Sequence, residues 1–280
     1  MAVDLHLHST ASDGADAPDE LMRLAREAGA TTVALTDHDT FAGISEASAA
    51  ASDLGLGFIP GVELSVDHRG HKMHMLVYFV DDSSLELRAR LDELRDGRTK
   101  RNDLIIEKLN NLGYAVTIED VRRHAKGPSV GRPHIADALI EKGYIETRDE
   151  AFVDLLQDGG AVYVERTRLT AEDAIGIARR EGGVPVIAHP ATITATSEEY
   201  SELFSELTDI GLGGIEAHHS MHTIALRNHL TDVAGELGIA ATGGSDYHGA
   251  SKREYRIATG VGDLRVPDQA LSDLDVQRAR

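Results

Sequence analysis

The chain has 280 residues, of which 41% are hydrophobic and 27% charged, with a formal net charge of -19 and no cysteine. That length suits one large domain, or one domain carrying a smaller insertion. The composition excludes disulfides and thiolate ligands, the acidic charge argues against long duplex nucleic acid, and no apolar run reaches the roughly 18 to 20 residues of a membrane span. Any metal must therefore be held by His, Asp, Glu or water, which favours harder divalent ions such as Mn²⁺, Mg²⁺ or Fe²⁺ and leaves Zn²⁺ open. The N-terminus lacks the basic and apolar regions of a signal peptide, so the default expectation is a cytoplasmic protein. No obligate protein partner is evident, and a small anionic substrate fits if cations gather in one cleft.

The first element is VDLHLH. As a strand, its two-residue period turns His6 and His8 to one face and Val3, Leu5 and Leu7 to the other, so that two imidazoles could chelate a metal. Asp13 follows in STASDG. PDELMRLAREAG places Leu21, Leu24, Ala25 and Ala28 at helical spacing, with Pro18 in the first turn and Gly29 at the C-terminal end. TTVALTDHD reads as a buried strand, a helix covers roughly 41–54, and GFIPGVELS and HKMHMLVYFV are further strand candidates. This alternation predicts a parallel or largely parallel sheet.

From about Leu85 to Glu165 the sequence is charged and helical in pattern, as in RNDLIIEKLNNLGY, with no convincing buried strand. The alternation returns with a helix near 171–181, the strand GVPVIAHP, a helix near 198–210, GGIEAHH, a helix near 222–237 and GIAATGGSDYHG. The expected organisation is an α/β domain of residues 1–84 and 166–280, interrupted by a helical insertion of residues 85–165 that caps it. Residues from about 260 onward read as a final strand or turn and a polar tail.

Polar residues recur where predicted strands end: His6 and His8, Asp37 and His38, Glu63, His189, Glu216 to His219, and Asp246 with His248. In a β/α barrel these ends converge on one mouth, where His74 joins them if its side chain faces inward. Each residue alone has an ordinary explanation. A lone His is more often hydrogen-bonded in a core or surface, TDHDT reads equally as a turn with Asp39 or Thr40 capping the next helix, and Asp246 suits a surface turn. Chance repetition at strand end after strand end is much harder to accept.

In order, H-x-H at His6 and His8, the acidic Asp13, T-D-H at Thr36 to His38, G-x-E ending in Glu63, His74, A-H-P at His189 and S-D-x-H with Asp246 and His248 resemble the PHP family, the polymerase and histidinol phosphatase superfamily. The resemblance implies a distorted (β/α)₇ barrel with two or three divalent ions at its mouth, Mn²⁺ being the first expectation. It implies that His6, His8, Glu63 and Asp246 hold one ion, that Glu63 bridges to a second held by His74 and His189, and that Asp13, His38 and His248 hold a third. Many trinuclear members carry His where this chain has Asp13, a harder ligand that shifts preference toward Mn²⁺ or Mg²⁺.

Two ions about 3.5 to 4 Å apart would lower the pKa of a bridging water and neutralise the phosphate oxygens under attack, so no nucleophilic side chain is needed. Glu63 and Asp246 would sit at the reacting centre, with His219 or Asp246 protonating the leaving alkoxide. Asp37 would orient a ligand imidazole, or cap the next helix. In the insertion, Lys100, Arg101, Arg132 and His134 are candidate phosphate contacts, since Arg forms a bidentate fork and GRPHIA opens a helix. For Lys100 and Arg101, ordinary solvated charge is an equal alternative.

GRPHIA resembles one PHP subgroup, small bacterial phosphoesterases that release the 3'-phosphate of nucleoside 3',5'-bisphosphates and trim short RNA from its 5' end. By that resemblance the insertion holds one phosphate while the ions act on the other, with His219 and His222 of GIEAHHSMH as further substrate contacts; surface histidines are the alternative. His218 departs from the aromatic residue expected there. Histidinol phosphatase and a non-catalytic PHP module assisting a polymerase are the competing readings. The nine filled ligand positions and the stand-alone length favour an enzyme.

Overall fold

The computed structural model describes residues 2–280 except 126, 128, 129, 194–196 and 253, and it leaves out the side chains of 197, 198 and 251. Residues 128 and 129 of the PSVGRPHIADAL segment therefore lie outside the described residues. The chain divides into two compact units, Met1–Arg90 with Arg168–Arg280, and Leu91–Thr167.

The larger unit begins with β1 (Val3–Leu7), α1 (Pro18–Glu27), β2 (Thr32–Leu35), α2 (Ile44–Leu54), β3 (Gly57–His68) and β4 (His71–Tyr78). Pro18 stands in the first turn of α1, where a missing N–H costs nothing, and the helix buries Leu21, Met22 and Ala25. The unit resumes with β5 (Leu169–Thr170), α7 (Ala171–Arg180), β6 (Val184–Ala188), α8 (Ser197–Asp209), β7 (Gly214–His219), α9 (Ile224–Leu237), β8 (Ala240–Gly244) and α10 (Gln269–Arg278). The helices α3 to α6 intervene and are given below.

The strands follow the order β1-β2-β3-β4-β6-β7-β8, with β5 added beside β3. After β8, the Asp246 N–H donates to the His6 carbonyl at 3.0 Å and the His8 N–H to the Tyr247 carbonyl at 3.1 Å, which brings the last strand against the first. This is a nearly closed α/β barrel. Gly244 permits the closure, because a Cβ there would lie 2.4 Å from the His6 Cβ.

The sheet is mixed, whereas the sequence predicts a largely parallel one. β4 runs antiparallel to both β3 and β6. The cause is a hairpin in which Arg69 and Gly70 adopt positive φ of 50° and 87°, the backbone that a two-residue turn between twisted strands requires. No helix separates β3 from β4, and this is what distorts the barrel.

A buried cluster joins Val3, Ile59, Tyr78, Val184 and Ala240 to Leu264, Val266, Ala270 and Leu274. The first five lie near the N-terminal ends of the parallel strands and the C-terminal end of antiparallel β4, so the final segment closes that end of the barrel. The expected polar tail is thus a packed helix, α10, whose buried stripe is only Ala270, Leu274 and Gln277. The opposite end is left as the mouth.

The second unit carries the continuation of α3 (Leu85–Asn111), then α4 (Ile118–Arg122), α5 (Arg132–Glu141) and α6 (Arg148–Ala151), the last leading into a π-helical turn at Phe152–Leu156. Thr117 and Asp120 form a reciprocal capping box on α4. Ile105, Leu109, Val121, Ile135, Leu139, Leu156 and Val162 give the unit its own core.

Candidate metal centre

β1 delivers His6 and His8 at its C-terminal end, the turn after β2 delivers His38, and Glu63 lies within β3 opposite Leu76. Because β4 runs antiparallel, its early residue His74 is carried to the mouth rather than away from it. His189 follows β6, and Asp246 and His248 follow β8. His189 and Asp246 hold positive φ of 27° and 56°, a strained backbone that costs about 1 to 3 kcal/mol each and persists where the surroundings fix it.

These residues converge. Glu63 Oε1 lies 2.9 Å from both His74 Nδ1 and His189 Nε2. Its Oε2 lies 3.0 Å from His38 Nδ1, 3.2 Å from His8 Nε2 and 3.5 Å from His6 Nε2. His6 Nε2 and His8 Nε2 are 3.1 Å apart and lie 3.6 and 3.4 Å from Asp246 Oδ1. Asp13 lies 3.4 Å from His248 Nε2, 3.8 Å from His8 Nδ1 and 3.9 Å from His38 Nε2. All nine expected ligand positions are brought together.

Burial opposes charge on these rings, but neighbouring carboxylates decide several of them. Glu216, Glu63 and Asp246 outweigh burial and hold His6 well above the usual imidazole range, and Asp246 and Glu63 carry His8 up to about 9. Burial drives His38 well below that range despite Glu63 and Asp13, so this ring stays neutral and keeps a lone pair. Burial raises Glu216, yet His6 and then His219 outweigh it and hold the carboxyl down at about 2. The result is a group of ionised carboxylates balanced by protons on His6 and His8, which a divalent cation would displace on binding.

The donor set fits such ions. Ligand distances of about 2.0 to 2.2 Å place neighbouring donors roughly 3 to 3.6 Å apart, the spacing found among His6, His8, Glu63 and Asp246. Two buried ring nitrogens, His8 Nδ1 and His38 Nδ1, have no hydrogen-bond partner among the described residues, although His38 Nδ1 is 3.0 Å from Glu63. Nitrogen and oxygen there are close but misaligned for a hydrogen bond, as two lone pairs turned toward a common cation would be.

A PHP domain matches residues 4–248 of the sequence. The chain belongs to the PHP family. Among curated PHP relatives, the 3',5'-nucleoside bisphosphate phosphatase of Chromobacterium violaceum is 32% identical over 247 residues, covering 88% of this chain and 87% of its own length. The phosphoribosyl 1,2-cyclic phosphate 1,2-diphosphodiesterase of Eggerthella lenta is 31% identical, covering 95% of this chain and all of its own length (100%). The 5'-3' exoribonuclease of Haemophilus influenzae is 33% identical, covering 88% and 89%. Among solved structures, a protein of Bifidobacterium adolescentis described as a candidate metal-dependent phosphoesterase superposes with a TM-score of 0.87 at 30% identity, covering 98% of this chain and 96% of its own.

Around the PHP centre, the structure gives contacts to residues that the sequence reading left without a role. Glu216 Oε1 accepts from His6 Nδ1 at 2.9 Å, and its Oε2 accepts from the His189 backbone N–H at 2.6 Å. A strict two-residue period on β7 would set Glu216 and His218 together and His219 opposite. A bulge between Glu216 and His218 changes the phase, so Glu216 and His219 both turn inward. Asp4, beneath the pair of histidines, accepts from the backbone N–H groups of Ser245 and Ala258. Lys252, in a short turn after His248, donates to Asp246 Oδ2 at 2.5 Å.

Among the described residues Asp37 makes no hydrogen bond to any of these imidazoles, nor does it cap α2. Its oxygens accept from the Ser9 N–H and hydroxyl and from the Ser12 hydroxyl at 2.5 to 2.8 Å, tying down the loop that carries Asp13. His219 Nδ1 accepts from the Met221 N–H, which leaves the proton on Nε2, 3.7 Å from Asp246 Oδ2. His222 uses both ring nitrogens on backbone, with Ala217 and Ala191.

Within the helical unit, Lys100 is exposed. Arg101 Nε donates to the Val164 carbonyl, and Arg132 donates to the Leu156 carbonyl while lying over the Phe152 ring. His134 Nδ1 accepts from the Gly131 N–H at the start of α5. No helix among the described residues is long and apolar enough to cross a membrane.

Proposed function

We propose that this chain is a metal-dependent phosphoesterase that releases the 3'-phosphate of nucleoside 3',5'-bisphosphates and trims short RNA from its 5' end. The observation that carries this reading is Glu63, one buried carboxylate whose two oxygens face five imidazoles. The C. violaceum and H. influenzae relatives, named for these two activities, support the substrate class.

In this reading His6, His8, Glu63 and Asp246 hold one ion, Glu63, His74 and His189 a second, and Asp13, His38 and His248 a third. The expected metal is Mn²⁺, since the oxygen and imidazole donors include no sulfur and Asp13 is a hard ligand. Bound divalent ions supply an activated water at neutral pH and neutralise charge on the phosphate.

The protein's own groups prepare that chemistry. Glu216 accepts a hydrogen bond from the Nδ1–H of His6 and thereby aims Nε2 into the centre. Lys252 restrains the outer oxygen of Asp246 and leaves Oδ1 facing the histidines. His219, whose Nε2 lies 3.7 Å from Asp246 Oδ2 and has no hydrogen-bond partner among the described residues, would donate to the leaving alkoxide.

The test is phosphate release by purified protein with Mn²⁺, Fe²⁺, Zn²⁺ or Mg²⁺, comparing adenosine 3',5'-bisphosphate, AMP, 5'-phosphorylated short RNA and histidinol phosphate. A phosphoribosyl cyclic phosphate belongs in the panel because the E. lenta relative matches 95% of the chain. Adenosine 3',5'-bisphosphate is expected to turn over fastest. No release from any substrate with any of these ions defeats the reading.

A further inference from the structure

Beside the His74 and His189 side of the centre lies a cavity of about 190 Å³, lined by Lys72, Met73, His74, Arg168, His189 and Thr192. Two of the six are permanent cations and none is a carboxylate, in a chain whose net charge is -19. The sheet explains the gathering. Ser65 faces His74 across β3 and β4, and the β3 to β5 register, Val66 opposite Leu169, extended by one residue sets Arg168 beside Ser65. Arg168, Ser65 and His74 thus share one row of the sheet. Lys72 stands two residues from His74 on β4 and so shares its face.

His74 and His189 are also the two rings on Oε1 of Glu63, so an anion in this cavity would adjoin the reacting centre. The guanidinium offers a planar fork that matches phosphate, and the ammonium a point charge. We propose that Lys72 and Arg168 form a subsite for the second, uncleaved phosphate of the substrate. This rests on the phosphoesterase reading and names the feature that selects substrates with two phosphates. Neither residue stands out in the sequence, because both precede their neighbours in the site by chain positions that only the mixed sheet brings to the mouth.

The test compares wild type with Lys72→Met, Arg168→Met, Arg168→Lys and the double Met variant. The substrates are paired: adenosine 3',5'-bisphosphate against adenosine 3'-monophosphate, and a 5'-phosphorylated against a 5'-hydroxyl dinucleotide. The ratio of kcat/KM within a pair should fall about tenfold in Arg168→Met and further in the double variant, while Arg168→Lys retains part of it. A fall in the first pair alone assigns the subsite to a small bisphosphate, and a fall in the second to an RNA end. Ratios that stay within about twofold of wild type in both pairs overturn the proposal. Calorimetric titration with adenosine 3',5'-bisphosphate needs no turnover: weaker binding by the double variant supports the subsite even if wild type releases no phosphate, and equal binding refutes it.

Discussion

In the barrel unit, Glu63 lies within 3.5 Å of five imidazoles contributed by β1, β4 and the segments after β2 and β6. In the helical unit, Arg101, Asn102 and Arg132 end instead on the carbonyls of Val164, Val130 and Leu156. The barrel turns its polar groups toward one another, an arrangement that costs stability until a cation joins them. In the helical unit these three side chains donate to backbone carbonyls, which is how polar groups hold loops onto helices. Ionisable side chains therefore face one another in one unit, while in the other the donors named meet backbone carbonyls. The strongest test of that contrast removes the charge on which the barrel cluster depends.

Glu63→Gln keeps the shape and deletes the charge. Phosphate release is expected to fall by at least about a thousandfold, the equivalent of losing several kcal/mol of metal assistance. Metal content measured by mass spectrometry should fall in parallel. Retention of both full metal content and activity would break the claim that this carboxylate organises the centre.

Glu216→Gln should have a smaller effect, because it removes support for His6 rather than a ligand. Metal affinity should drop about 10- to 100-fold, and added Mn²⁺ should restore much of the activity. An unchanged affinity would mean that the His6 ring is oriented by packing alone.

The candidate ligands were legible because a β/α barrel gathers strand ends, and strand ends can be read from period and turn residues. His6, His8, His38, His189, Asp246 and His248 follow that rule, whereas Glu63 lies in the middle of β3, which runs on past the expected strand end to His68. Glu216 was named among the strand-end residues but given no role, because the β7 bulge that turns it and His219 inward together has no fixed sequence mark. Lys252 escaped because a long flexible side chain reaches Asp246 from a turn of irregular sequence. The direction of β4 was also illegible: HRGH gives a turn, but only the left-handed backbone of Arg69 and Gly70 shows that the next strand folds straight back. At the C-terminus, a stripe of Ala270, Leu274 and Gln277 was too narrow and too polar to read as a core helix.

Arg132→Ala is the mildest change and the one that most directly divides the two units. The sequence reading gives Arg132 a substrate phosphate, while the structure gives its guanidinium the Leu156 carbonyl and the face of Phe152. Losing a charge-assisted bond of this kind at a half-buried site should cost about 1 to 2 kcal/mol of stability, read as a lower midpoint in thermal or urea unfolding. Its effect on the preference for two phosphates should be smaller than that of Arg168→Met, because the structure places Arg168, not Arg132, in the cavity wall beside His74. A loss of preference as large as that of Arg168→Met, with the unfolding midpoint unmoved, would return the second phosphate to the helical unit.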